Sequence, residues 1–240
     1  MTPFTTENTK NYILAMVGSF GTTTVAICMQ EKVLGMRNIH STQGSRLLIS
    51  QIEQLFTELA LSMHDITMIM TEQGPGSFTS LRVLIVTANA LGLARQIPVV
   101  GVNSLQSLAF GVVNKVPTDA YLLSLIDAYG GQAYASIFVG QTLEPLHENL
   151  CLPPVALANL LILLPPKPIY VVGMVPEGYQ KQLVAACSKQ LLHFLPSSFG
   201  AIEVKTLVKL GGMQQAQKPV THFAAITPLY IKANFSSVAS

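Results

Sequence analysis

Residues 65–82 read DITMIMTEQGPGSFTSLR, and this stretch decides how the first half of the chain folds. Residues 65–71 are mostly apolar or β-branched, which predicts a short buried strand. Gly74, Pro75 and Gly76 end the strand, because proline cannot continue a ladder and glycine tolerates turn conformations. Residues 78–95 then run without a breaker and predict a helix. The stretch is a strand–turn–helix unit, the building block of an α/β sheet.

The residues on either side extend this unit to a complete lobe. Three β-forming runs, at 12–17, 22–29 and 33–39, predict an antiparallel meander. A helix over 43–62 has an apolar stripe of Leu47, Leu48, Ile52, Leu55, Phe56 and Leu59. Another strand, 97–102, follows helix 78–95, and Asn103–Ser104 opens a helix that runs through Val113. The order β-β-β-α-β-α-β is the ribonuclease-H-like pattern, assigned here to residues 1–103.

The second half of the chain repeats this order loosely. Residues 120–127, 130–139 and a third run near 143–151 predict strands, followed by a helix at 154–163. A strand at 167–173 and a helix at 178–193 come next. Residues 196–222 are less regular, and residues 228–235 are predicted to dock as a strand or extended arm. Residues 104–240 are therefore predicted to form a second ribonuclease-H-like lobe.

Composition excludes several classes of protein. Half of the residues are apolar, 11% are charged and the net charge is +2, so broad electrostatic capture of nucleic acid is not expected. The longest apolar runs, such as 155–164, are about ten residues, and a membrane-spanning helix needs about 20. The N-terminus has no apolar segment typical of a secretory signal and is predicted to be a short disordered lead.

The cysteines and histidines indicate a reducing compartment and no local metal motif. Cys28, Cys151 and Cys187 are odd in number and far apart, as in a cytoplasmic protein, and buried thiols are the simplest interpretation. No two histidines lie three or four residues apart, and no Cys-x-x-Cys is present, so a metal site formed by neighbouring residues is not predicted.

The glycine-rich loop admits three interpretations. Backbone amides around Gly74 and Gly76, with Ser77 and Thr79 at a helix N-terminus, could contact a phosphate, but the lysine of a Walker loop is missing. Ser77 could be a nucleophile. A nucleophile elbow, however, has glycine two residues before and two residues after its serine, and this chain has Pro75 and Thr79 at those positions. Alternatively, the Ser77 side chain caps the helix that follows.

Helix 78–95 itself is the strongest sign of a partner. Between residues 78 and 94 it carries one charge, Arg82, so it lacks the polar face of a surface helix. We therefore expect the helix to be buried inside a domain or against a partner. Helix 43–62 has a polar face and does not obviously supply the covering surface, which favours a partner. The candidate interface residues are Leu48, Ile52, Phe78, Leu81, Arg82, Leu84, Ile85, Ala88 and Leu91.

Four stretches resemble one known family. GPGSFTSLRVLIVTANALGLARQIPVVGVNSL, from residue 74, is similar to the signature of the TsaB (YeaZ) family. YILAMVGSFGTTTVAI resembles its first hairpin, LLSLIDAYGGQAYASIF its second-lobe strand pair, and PLYIKANF its C-terminal motif. The likeness is specific from about residue 66 to 139 and loose between 150 and 220.

The resemblance implies an α/β fold of two ribonuclease-H-like lobes, as in the actin/sugar-kinase (ASKHA) superfamily. It implies a cytoplasmic, non-catalytic subunit that pairs with TsaD, and with the ATPase TsaE, in making N6-threonylcarbamoyladenosine at position 37 of tRNA. A homodimer in isolation is implied too, with helices 43–62 and 78–95 at the interface. No cofactor of its own is expected; ATP or ADP would bind only at the complex interface, and tRNA would be reached through the complex.

The chain departs from the family pattern at several positions. Val17 and Gly18 stand where the family has Asp–Thr at the end of the first strand, Ser80 replaces a glycine, and Tyr129 replaces an arginine. These departures point away from catalysis. The alternative of an active ATP-dependent enzyme rests on the glycine loop and on Asp127 at a strand end, although a turn acid is the simpler interpretation of Asp127. A peptidase using Ser77 is the least supported alternative.

Overall fold

A computed structural model describes residues 11–18, 21–187 and 191–231, and its contacts divide the chain into two compact units. The first unit comprises the described residues up to Ser104 together with Ile202–Leu229, and the second comprises Leu105–Ala201 and the described residues from Tyr230 on. Each unit contains one five-stranded sheet. The predicted α/β class with two lobes is confirmed.

The first sheet has the strand order β3-β2-β1-β4-β5. The antiparallel meander is β1 (Tyr12–Val17), β2 (Thr22–Met29) and β3 (Lys32–His40), and β4 (Ile66–Gly74) and β5 (Val99–Asn103) add in parallel. In the centre, Leu14 lies opposite Ile27 on one side and Ile69 on the other, and all three are fully buried. Apolar runs without alternation form these strands because both faces of the sheet are covered.

Two helices cover one face of this sheet. They are α1 (Gly44–Glu58) and α2 (Phe78–Arg95), and their buried side chains join those of β1, β2, β4 and β5 in one apolar core. The predicted helix 43–62 is too long. Leu59 is the C-cap of α1, and Ala60 has a left-handed φ of 51°. The predicted bounds of helix 78–95 are confirmed.

The second sheet repeats the first, with the order β10-β9-β6-β7-β8. Its strands are β6 (Tyr121–Tyr129), β7 (Gln132–Val139), β8 (Glu144–Leu152), β9 (Ile169–Met174) and β10 (Leu192–Phe194). The helices of this half of the chain are α3 (Ser104–Val112), α4 (Pro154–Leu163) and α5 (Glu177–Ala186). Strands β6, β7 and β8 form an antiparallel meander, and β9 and β10 then add in parallel. This is the connectivity of a second ribonuclease-H-like lobe.

The predicted helix 178–193 is wrong at its C-terminal end. Helix α5 stops at Ala186, and Leu192–Phe194 instead form β10, paired in parallel with Ile169–Val171. The strand is only three residues long, and pairing with β9 decides its conformation. A pattern of apolar residues this short does not distinguish helix from strand.

A sixth helix, α6 (Val204–Gln217), lies in the region predicted to be less regular. It covers the other face of the first sheet: a Cβ placed on Gly211 would lie 2.9 Å from the Met70 sulfur and 3.2 Å from Val102 Cγ2. The predicted assignment of all residues after 103 to the second lobe is therefore wrong for Ile202–Leu229. The sequence of an apolar-faced helix does not say which of two sheets it covers.

The C-terminal arm is extended but joins no sheet over its described residues. Leu229 donates its N–H to the Gln73 carbonyl at 2.9 Å. The remainder of the predicted arm, residues 232–235, and the predicted lead before residue 11 lie outside the described residues. Within the part of the chain that the structure describes, no helix is both long and apolar enough to cross a membrane.

Candidate partner-binding surface and glycine loop

The glycine loop makes a tight turn between β4 and α2. Gly74 is buried, has a φ of 106° and precedes Pro75 through a cis peptide bond. A Cβ at this position would lie 3.0 Å from Leu81 Cδ1 and 3.3 Å from the Leu229 carbonyl oxygen. The positive φ and the crowding both require glycine. The turn brings the first turn of α2 close to the end of β4.

Ser77 is the N-cap residue of α2, but its side chain makes no capping hydrogen bond. The predicted side-chain cap is therefore wrong, although the Ser77 carbonyl accepts the Leu81 N–H at 3.0 Å as the first bond of the helix. Gly76 is half-buried, and Thr79 is exposed. The loop thus starts the helix through its backbone, and its phosphate-binding role stays a prediction.

Most of the predicted interface residues belong to the core of the first unit. The side chains of Leu48, Ile52, Leu81, Leu84, Ile85 and Ala88 are at most 3% exposed, because they face the sheet and the neighbouring helix. The chain itself covers these side chains, so they offer little surface to a partner in this conformation, and their place at an interface stays a prediction. Leu91 is half-buried and also packs on this core. A helix that is apolar on every side still buries one face on its own sheet.

The exposed face of α2 carries apolar side chains on either side of one arginine, and we call Phe78, Arg82, Val86 and Ala90 the α2 stripe. These residues are four apart and therefore lie on one side of the helix. Phe78 is 52% exposed and Val86 66% exposed. The Arg82 guanidinium carbon lies 3.7 Å from the centre of the Phe78 ring, as in a cation–π pair. Exposed Ile49 (48%) on α1 and Leu93 (54%) on α2 add apolar surface to the first unit.

A third side of α2 is covered by the chain itself through residues 220–229, which we call the strap. Asn89 Nδ2 donates to the Ile226 carbonyl at 2.8 Å, and Ile226 N–H donates to Asn89 Oδ1 at 3.0 Å. Gln73 also binds the strap in both directions. Its side-chain Nε2 donates to the Thr227 carbonyl at 2.8 Å, and its backbone carbonyl accepts the Leu229 N–H. Phe223 and Ile226 pack on the apolar core. The strap ties α2 to the end of β4.

The acid missing from the end of β1 is replaced by one from β4. Val17 is buried, and Gly18 lies so close to α2 that a Cβ on it would be 2.6 Å from Leu84 Cδ1. The Gly18 N–H instead donates to Glu72 Oε2 at 3.0 Å. Glu72 was not among the residues predicted from the sequence, although an acid in a mostly apolar strand was an available signal.

Asp127 acts as a turn acid in the second unit. Its Oδ1 accepts the Tyr129 N–H at 3.0 Å within the β6–β7 hairpin. Tyr129 is 74% exposed and has a positive φ of 61°, so the bond stabilises a conformation that is unfavourable for a non-glycine residue. The simpler interpretation of Asp127 is confirmed, and its role toward a nucleotide stays a prediction.

The three cysteines are reduced, and burial governs their chemistry. Cys28 and Cys187 are buried, and burial raises the pKa of the Cys28 thiol to about 12. Burial also raises the pKa of Cys151, which is half-buried and donates its thiol hydrogen to Gln132 Oε1 at 3.1 Å. A thiol with a raised pKa is a poor nucleophile. Among the described residues, no three His, Cys, Asp or Glu side chains are grouped as metal ligands would be.

The duplicated sheet topology defines the class of protein. Two ribonuclease-H-like units in one chain are the architecture of the actin/sugar-kinase superfamily. A proposed N-acetylmannosamine kinase of Listeria monocytogenes has the same fold, with a TM-score of 0.51 at 10% identity, covering 85% of this chain and 99% of that one.

The family follows from more specific matches. The family model TsaD, tRNA N6-adenosine threonylcarbamoyltransferase, matches residues 38–236, so the chain belongs to that family, in its TsaB (YeaZ) branch. The structure of YeaZ from Pseudomonas aeruginosa has a TM-score of 0.70 at 20% identity, covering 92% of this chain and 99% of that one.

A curated relative is similar over a shorter stretch. The tRNA threonylcarbamoyladenosine biosynthesis protein TsaB of Escherichia coli is 30% identical over 92 residues, or 38% of this chain. The match spans 39% of that relative's length.

Proposed function

We propose that this chain is the non-catalytic partner subunit of a TsaD-type threonylcarbamoyltransferase. In this role it supports formation of N6-threonylcarbamoyladenosine at position 37 of tRNA in the cytoplasm. The observation that carries the proposal is the α2 stripe, an apolar exposed surface on a helix whose other sides are already covered. The name of the Escherichia coli relative supports the pathway.

The chemistry of the α2 stripe suits a protein partner. Its centre combines an aromatic ring, a stacked guanidinium and an aliphatic side chain. Aromatic residues and arginine are the residues that most often carry the binding energy of protein interfaces. A TsaD homologue shares the fold of this chain and can present an equivalent helix pair. In the absence of TsaD, the same surface forms a homodimer.

The remaining partners are those that the family resemblance implies. TsaE binds the complex of this chain with TsaD, and ATP or ADP binds at a subunit interface of that complex. The tRNA contacts the complex mainly through other subunits, because a net charge of +2 and 11% charged residues supply little attraction for phosphates.

The test compares two valine-to-aspartate variants at exposed helical positions. Val86→Asp places a charge in the α2 stripe, whereas the matched control Val184→Asp changes a half-exposed valine on α5 in the other unit. We expect Val86→Asp to weaken both the homodimer and the complex with the host's TsaD homologue by about 100-fold, or about 2.7 kcal/mol, because binding would bury an unpaired charge. Light scattering measures the dimer, and calorimetry measures the complex.

Three outcomes contradict the proposal. Val86→Asp could bind like the wild type, Val184→Asp could lose binding equally, or the wild type could fail to bind TsaD with and without nucleotide. Circular dichroism melting checks that both variants are folded. Reconstituted threonylcarbamoylation with and without this chain then tests the pathway itself, since omission of the chain is expected to abolish most of the activity.

A further inference from the structure

Glu72 is the one charged residue that is buried among the described residues. Its side chain, at the end of β4, is 1% exposed. Removing a carboxylate from water costs several kcal/mol unless donors replace the lost hydration. A buried carboxylate therefore needs hydrogen-bond donors around it, and the structure shows them.

The environment consists of donors from separate parts of the first unit. The Gly18 N–H at the end of β1 donates to Oε2 at 3.0 Å, and the Ser104 hydroxyl donates to Oε1 at 2.7 Å. Ser104 is 0% exposed, so its hydroxyl has no access to bulk water. Gly18 also lies close to α2, since a Cβ on it would be 2.6 Å from Leu84 Cδ1. Both oxygens thus accept hydrogen bonds, as in carboxylates bound by proteins.

We propose that these donors form an anion-binding site whose permanent occupant is the Glu72 carboxylate itself. An anion from solution cannot enter, because the Glu72 side chain fills the space and its oxygens take both donors. The end of β1 in this lobe is therefore closed by the chain's own side chain. This inference is independent of the proposed partner function.

The alternative is that Glu72 is only an anchor, with no site that recognises a free anion. Removal of the side chain distinguishes the two ideas. Glu72→Ala leaves a carboxylate-sized space with the Gly18 and Ser104 donors still in place. A small carboxylate should then bind there and restore part of the lost stability. In the control Glu72→Gln, a neutral side chain of the same size fills the space.

The experiment measures melting temperature in sodium formate and in sodium chloride at equal ionic strength. We expect Glu72→Ala to melt below the wild type in chloride and to gain about 3–6 °C in formate, the size expected when formate is at about ten times its dissociation constant. The wild type and Glu72→Gln should show no difference between the two salts.

Two results overturn the proposal: Glu72→Ala gains no more than the wild type, or Glu72→Gln gains equally. If Glu72→Ala does not fold in chloride, its refolding yield is measured in both salts. Recovery of folded protein in formate but not in chloride supports the site, and equal failure in both salts overturns it.

Discussion

Arg82 shows how one residue determines which side of a helix is free. It is the single charge between residues 78 and 94 of an otherwise apolar or neutral helix. A guanidinium is rarely buried without a partner, so its position marks the solvent side of α2. Phe78 and Val86 lie four residues before and after it and share that side. Counting four residues in either direction from Arg82 would therefore have predicted the α2 stripe. Choosing interface residues by their apolar character alone selected mostly positions that are buried in the core.

Ala88 and Ala90 provide a direct test at the residue scale. Ala88 is 0% exposed in the apolar core, and Ala90 is exposed on the α2 stripe. We expect Ala88→Arg to lower the free energy of unfolding by about 3–5 kcal/mol, because a cation is buried without a partner. Ala90→Arg should change it by less than about 0.5 kcal/mol and should weaken partner binding instead.

Urea unfolding followed by circular dichroism measures both stabilities, and calorimetry with TsaD measures binding. If Ala88→Arg is as stable as the wild type while losing its partner, Ala88 faces the interface and the assigned sides of α2 are reversed.

At the element scale, α2 is fixed by the strap as well as by its own sheet. The Asn89 side chain presents one donor and one acceptor to the backbone of Ile226, as a neighbouring strand would. Gln73 binds the chain on either side of Pro228 with one side-chain donor, Nε2, and with its backbone carbonyl as acceptor. The strap gains its position from these side-chain amides and from the packing of Phe223 and Ile226.

Asn89→Asp should release the strap. The aspartate can still accept the Ile226 N–H, but its second oxygen faces the Ile226 carbonyl, where Asn89 Nδ2 now donates at 2.8 Å. We expect hydrogen exchange over residues 223–229 to speed up by about tenfold or more, corresponding to at least 1.4 kcal/mol. The control Asn159→Ala changes an exposed asparagine on α4 and should leave this exchange unchanged. Wild-type exchange in Asn89→Asp would show that packing alone holds the strap.

Elements whose own residues form a long apolar run could be predicted from the sequence. Elements whose conformation depends on pairing with residues far away in the sequence could not. The bounds of β1, β2, α2 and α4 follow from apolar runs bounded by glycine or proline. In contrast, β10 depends on β9, and the environment of Glu72 depends on Gly18 and Ser104, which are 54 and 32 residues away. The sequence shows the acid, but only the fold shows its donors.

At the scale of the whole molecule, the first unit is discontinuous in sequence. On one face of its sheet it carries α6, which follows the entire second segment, Leu105–Ala201. Met70 and Val102 lie against Gly211 of α6, where a Cβ would be 2.9 Å from the Met70 sulfur and 3.2 Å from Val102 Cγ2. A boundary drawn along the sequence therefore does not separate two folding units.

A fragment of residues 1–104 should not fold alone, because one face of its sheet lacks cover. The same fragment joined through a flexible glycine–serine linker to residues 202–231 should give a cooperative melting transition and dispersed NMR signals. As a control, Val208→Asp in the joined fragment should abolish that transition, since Val208 is 0% exposed. Cooperative folding of residues 1–104 by themselves would contradict the assigned role of α6.

The return of Ile202–Leu229 to the first unit also sets the order of events on the ribosome. Chains emerge at about 5–20 residues per second, so the first sheet waits on the order of 5–20 s after its own strands have emerged before α6 becomes available. During that interval its uncovered face is open to chaperones and to neighbouring nascent chains. The first unit thus begins to emerge first but is the last to be complete. The second unit can finish folding before α6 has been synthesised.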